Sequence, residues 1–150
     1  MTDCYFAFGS NMDKEQMKKR KANFTEMQKG VIKDWKLVFN KINHNKEGAG
    51  YANIIPNTGS IVEGIIYKVD KDTITILDSY EGVPNHYKQN TMSVENTQNK
   101  LINCIVYIAN SSKIKNNLKP EKWYLEHLLK GKDFLSESYF SDLKNVETLD

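Results

Sequence analysis

A chain of 150 residues with 39% hydrophobic content can bury one continuous apolar core, so a single domain spanning residues 1–150 is expected. Its 21 Lys and Arg are nearly balanced by 19 Asp and Glu, and the net charge of +2 provides no field suited to a nucleic acid or an anionic membrane. No run approaches the roughly 20 apolar residues that cross a bilayer, and Met1-Thr2-Asp3 opens without a secretory leader, so a cytoplasmic protein is expected.

In chain order, runs rich in β-branched and aromatic residues predict strands at about Cys4 to Phe8, Phe24 to Ile32, Lys36 to Ile42 and Tyr51 to Ile55. Further strands are expected at Ile61 to Val69, Tyr87 to Val94 and Leu101 to Ala109. Glu47-Gly48-Ala49-Gly50 and Pro56-Asn57-Thr58-Gly59 read as turns, the second a tight connection between two strands, and the polar stretch Asn96 to Lys100 reads as a hairpin tip. Helices are expected at Asp13 to Lys21, Lys71 to Tyr80, Pro120 to Lys130 and Ser136 to Val146. Asp70 and Ser136 suit N-caps, Pro120 suits a first helical turn, and Gly131 suits a helix end. Strands mixed irregularly with helices predict an α+β domain built on an antiparallel sheet or barrel. The basic run Lys18, Lys19, Arg20, Lys21 is expected to lie on a solvated face, at the helix end that favours cations.

Two segments could carry chemistry. Tyr5-Phe6-Ala7-Phe8-Gly9-Ser10-Asn11-Met12 is an apolar strand that stops at a glycine and two small polar residues before a helix. Successive amides at such a junction can form a nest for an anion, and the same tripeptide also serves as a plain turn with a helix cap. In Leu77-Asp78-Ser79-Tyr80-Glu81-Gly82-Val83, Glu81 falls four residues beyond Leu77, on the inward side of the helix. Burial there would raise its pKa toward the range of a general acid and base, whereas an exposed glutamate would simply end the helix. His44, His86 and His127 are scattered without ligand-like companions, so no metal site is expected. Cys4 and Cys104 sit singly in strand-like runs, as buried reduced thiols do.

Taken together, in this order and at this separation, the two segments resemble the γ-glutamylcyclotransferase (AIG2-like) family. Gly50-Tyr51-Ala52-Asn53-Ile54-Ile55-Pro56 is similar to an internal strand of that family, and Glu63-Gly64-Ile65-Ile66-Tyr67 to the strand leading into its catalytic helix. The region from Tyr124-Leu125-Glu126 to Tyr139-Phe140-Ser141-Asp142-Leu143 resembles its closing helical pair. The resemblance implies a small mixed, mainly antiparallel, barrel-like sheet flanked by helices, with no cofactor and no metal. It implies a γ-glutamyl small molecule as substrate and release of 5-oxoproline by an intramolecular acyl transfer of cyclotransferase or lyase type; the sequence leaves monomer and homodimer both open. Glu81 would move the protons. Phe8, Gly9, Ser10, Asn11, Met12, Tyr87, Tyr107, Tyr124 and Tyr139 would contact the substrate. The family commonly has tyrosine where this chain has Phe8, which removes one hydroxyl but leaves the backbone cradle. A protein of the same fold that holds a γ-glutamyl-like ligand without chemistry is the alternative.

Overall fold

The computed structural model describes residues 3–150. Five strands, β1 (Asp3–Ala7), β2 (Phe24–Ile42), β3 (Gly50–Val69), β4 (Tyr87–Asn96) and β5 (Leu101–Ala109), close into a barrel in the order β1-β3-β2-β4-β5. All neighbouring pairs are antiparallel except the closing one, where β1 meets β5 in parallel at Tyr5 and Ile105. Four α-helices surround it: α1 (Lys14–Lys19), α2 (Lys71–Glu81), α3 (Lys122–Leu129) and α4 (Glu137–Lys144). This is the expected α+β, mainly antiparallel barrel.

Two expected strand pairs are each one long strand. Local propensity lapses at Asp34 and at Pro56-Asn57-Thr58-Gly59, which reads as two breaks, but the lapses lie opposite each other in one ribbon. Pairing jumps from Lys33 with Ile61 to Trp35 with Pro56, and Asp34, at φ 67°, accepts a 3.0 Å hydrogen bond from the Gly59 amide. The segment is therefore a bulge that bends β2 and β3 together, not a turn between strands. The turn before Gly50 and the hairpin at Asn96 to Lys100 are where the sequence places them.

The helices start and stop close to the expected residues. Asp70 caps α2 by accepting from the Thr73 amide at 2.8 Å, and Ser136 caps α4 through the Tyr139 amide at 3.3 Å. α1 is shorter than expected because Asp13 is its cap, with its carboxylate on the Glu15 amide at 3.0 Å. Pro120 lies outside α3, whose cap is Glu121; the proline carbonyl instead accepts from Leu149 and ties down the C-terminal segment. Gly131 follows the α3 cap Lys130 and begins a 3-10 turn at Lys132–Phe134.

Both faces of the sheet are covered: consecutive β3 residues Ile65, Ile66 and Tyr67, which point alternately to its two sides, are each 1% exposed or less, as are Phe6, Val62, Val94 and Val106. Burial of each large side chain contributes roughly 1.5–3 kcal/mol. Of the two thiols, Cys104 is buried and Cys4 only partly so, and both are free. No described helix is long and apolar enough to cross a membrane.

Candidate active site

At one end of the barrel lies a cavity of about 450 Å³, within the size range of small-molecule sites (roughly 300–1,000 Å³). β1 delivers one wall. Where it ends, Gly9 turns the chain into a 3-10 turn at Ser10–Met12, and a Cβ at Gly9 would meet Ala52 Cβ at 3.2 Å and the Tyr124 hydroxyl at 3.4 Å. A side chain here would be a tight fit that requires Ala52 to give by a few tenths of an ångström. Among the described residues, the amides of Gly9, Ser10 and Asn11 donate to no protein acceptor, and all three residues line the cavity.

Side chains lock this turn. Asn11, 3% exposed, donates to the Tyr5 hydroxyl at 3.0 Å and accepts from Gln16 Nε2 and Arg20 Nη1, both at 3.1 Å. Its carbonyl accepts from the Tyr67 hydroxyl at 2.6 Å, and Gln16 Nε2 also reaches Ser10 Oγ at 2.8 Å. Asn11 thus holds the cradle in shape through its side chain and its carbonyl.

Glu81, the last residue of α2, lines the same cavity. Gly82, at φ 64° and ψ 39°, ends the helix in the left-handed conformation, its amide satisfying the carbonyls of Asp78 and Ser79. Leu77, one turn earlier, is fully buried, and the same helix face carries Glu81 into the cavity. Although part of the residue stays accessible, burial of its carboxyl pushes the pKa from 4.5 to about 7, against the pull of the Arg20 guanidinium and the Lys41 ammonium. Among the described residues no hydrogen bond or ion pair ends on this carboxylate. It is a free group that titrates near neutrality.

Phe8, Gly9, Ser10, Asn11, Glu81, Tyr87, Tyr107 and Tyr124 therefore share one cavity, though some are over a hundred positions apart in the chain. Two expected contacts lie elsewhere. Met12, at the far side of the 3-10 turn, is 1% exposed and packs against Gly131, where an added Cβ would come within 2.9 Å of it. Tyr139 lines a separate hollow with Leu37, Phe39 and Leu143, because α4 packs on the bent β2-β3 ribbon rather than at the cavity. Sequence spacing cannot show which face of a short turn or which side of a ribbon a residue meets.

The hydroxyls in the cavity divide into two kinds. Tyr87 donates to the Ala52 carbonyl at 2.8 Å and Tyr107 to Asp78 Oδ1 at 2.7 Å, so their protons are engaged in holding the wall. The Tyr124 hydroxyl accepts from the Ala52 amide at 3.0 Å and that of Tyr5 accepts from Asn11, leaving both O–H donors free for a ligand. Burial pushes all four phenols above their ordinary range, so they are protonated donors at neutral pH.

Several lining residues carry no signal in the sequence. Arg20 is not on a solvated face: it turns inward to Asn11, with its guanidinium 4.5 Å from the centre of the Tyr80 ring, while Lys18 and Lys19 remain exposed. The i, i+4 spacing of Gln16 and Arg20 is the one hint that they share a face. Lys41 near the end of β2 also lines the cavity, 3% exposed. His44 and His86 meet at the rim, ring centres 5.6 Å apart, while His127 pairs with Asp13 at 2.8 Å. Among the described residues no group of three or more His, Cys, Asp or Glu could hold a metal ion.

Residues 5–126 match the family described as gamma-glutamyl cyclotransferase, AIG2-like. The gamma-glutamylcyclotransferase of Mus musculus is 28% identical over 153 residues, covering 97% of this chain and 79% of the mouse protein. That of Homo sapiens is 28% identical over 156 residues with the same coverage. A solved structure of a gamma-glutamyl cyclotransferase superposes with a TM-score of 0.90 at 26% identity, over 100% of this chain and 90% of the other. With a match over most of its length and a fold that agrees throughout, this chain belongs to the gamma-glutamyl cyclotransferase, AIG2-like family.

Proposed function

We propose that the protein is a γ-glutamyl cyclotransferase, which converts a γ-glutamyl amide into 5-oxoproline and the free amine or amino acid. The observation that carries this is the placement of Glu81, unpaired and titrating near 7, across one cavity from the free amides of Gly9, Ser10 and Asn11. The substrate's α-ammonium gives a proton to Glu81, and the freed nitrogen attacks its own γ-carbonyl carbon, forming the ring C–N bond. The carbonyl oxygen becomes an oxyanion, stabilised by donors on the cavity wall, for which the Tyr124 and Tyr5 hydroxyls are available. Glu81 passes the proton to the leaving nitrogen as the amide C–N bond breaks. In all, two protons leave the α-nitrogen and two reach the departing amine, so the carboxylate is regenerated and no cofactor is required. The cradle amides and Arg20 hold the α-carboxylate, which fixes the chain in its ring-closing shape.

Positioning should matter at least as much as the base. Well-oriented intramolecular reactions reach effective molarities of about 10⁵–10⁸ M, while one placed acid or base supplies about 10²–10⁴-fold. Assay of 5-oxoproline release from a panel of γ-glutamyl amino acids and amines tests the proposal. Turnover of at least one member is expected; binding without 5-oxoproline would overturn it and leave a ligand-holding protein on the same fold.

A further inference from the structure

We propose that Lys41 selects the leaving group: its ammonium receives the carboxylate of the departing amino acid, so the protein prefers γ-glutamyl amino acids to γ-glutamyl amines. This rests on the cyclotransferase reading and concerns the half of the substrate that reading leaves open.

Lys41 is a buried cation with spare donors. Its Nζ donates to the Ile42 carbonyl at 2.8 Å and lies 5.7 Å from the ring centres of both Tyr51 and Tyr87. An ammonium carries three N–H donors, and among the described residues no carboxylate lies within ion-pair distance of this one. Burial and the nearby Lys113 hold its pKa below the usual lysine range, while Glu81 acts in the opposite direction. A desolvated charge without a counter-ion is costly, and an incoming anion relieves the cost.

Charge counting in the cavity points to which anion. The cavity is lined by two cations, Arg20 and Lys41, and by Glu81 as the only acid among the described residues. Arg20 is tied to Asn11 of the cradle, whereas Lys41 is tied to the Ile42 carbonyl of its own strand, β2. Both cations act on the Glu81 carboxyl. A γ-glutamyl amino acid carries two carboxylates and a γ-glutamyl amine only one. With the α-carboxylate at the cradle and Arg20, the second carboxylate of the dipeptide meets Lys41, and an amine leaves that ammonium unpaired.

The test compares γ-glutamylalanine with γ-glutamylethylamine, which differ by that single carboxylate. Wild-type protein is expected to favour the alanine compound in kcat/KM by about ten- to hundredfold, the range of a charge-assisted hydrogen bond. Lys41→Met, of matched length and apolar at a buried site, is expected to bring the ratio near one, and Lys41→Arg to keep much of it; melting curves establish that both fold. A ratio unchanged in Lys41→Met, including an equal fall on both compounds, overturns the assignment. Calorimetric binding of the same two compounds to Glu81→Gln, with and without Lys41→Met, separates the two proposals. Lys41-dependent preference in binding, without 5-oxoproline from the wild type, sinks the cyclotransferase reading alone. Turnover with a Lys41-independent ratio sinks the selector alone, and if neither compound binds or reacts both proposals are overturned.

Discussion

Under the proposed reaction, Glu81 is the residue through which pH reaches both activity and stability. As a base it must be ionised, so kcat/KM is expected to fall as pH drops below its pKa of about 7, and a pH-rate profile of 5-oxoproline formation checks the acid limb. For stability the sign is opposite. The folded carboxyl keeps its proton up to about 7 while the unfolded one releases it near 4.5, so the native state holds more protons between those values and loses stability as pH rises through them. Glu81→Gln removes that decline and is expected to lower turnover by about 10²–10⁴-fold. Melting both proteins on either side of the window shows whether the decline disappears. Asn11→Ala attacks the other wall: it strips Arg20 and Gln16 of an acceptor and the Tyr5 hydroxyl of its donor. Each buried polar group left unpaired costs about 1–3 kcal/mol, so a lower Tm together with a lower kcat/KM is expected.

At the scale of elements, α2 is a lever whose two ends determine where Glu81 stands. Asp70 caps its start, and Asp70→Ala is expected to cost about 1 kcal/mol, or about 2–4 °C in Tm for a domain of this size. Its other end depends on Gly82. In the left-handed conformation a side chain costs roughly 1–2 kcal/mol, and a Cβ here would also stand 2.8 Å from His86 Cδ2. Gly82→Ala is therefore expected to reduce kcat/KM more than Asp70→Ala does, because the strain falls beside the Glu81 carboxylate, the proposed base; steady-state kinetics on both variants decides it. α3 serves the cavity differently, placing Tyr124 with its hydroxyl on the Ala52 amide and its proton free.

For the whole molecule, barrel closure is what gathers the site. The parallel contact of Tyr5 with Ile105 brings the first strand beside the last, so the cradle after β1, the α2 end after β3 and the tyrosines of β4 and β5 open on the same end. A ligand that binds only this assembled state must stabilise it. At a hundredfold excess over Kd the gain is about 2.7 kcal/mol, so 5-oxoproline or an unreactive γ-glutamyl analogue is expected to raise Tm by several degrees in a thermal-shift titration.

Much of this was legible along the chain. Short-range signals placed the helix caps at Asp70 and Ser136, the turn at Gly9 and the hairpin after Asn96, because each depends on chemistry within a few residues. The order of the Gly9-Ser10-Asn11 and Glu81 segments, through their resemblance to a family, pointed to the site. Where pairing or packing overrides local preference, the sequence was mute or misleading. The bulge at Asp34 and Gly59 is continuous strand only because each strand supports the other across the ribbon. Arg20 reads as surface charge until the fold turns it inward, Lys41 carries no signal along the chain, and Met12 and Tyr139 leave the cavity because direction at a short turn or a packed helix is a three-dimensional matter. By itself the sequence determined the elements and the chemical groups available; tertiary structure decided which of them share a water-poor space, since burial and the charges across a cavity are properties of neighbours far apart in the chain.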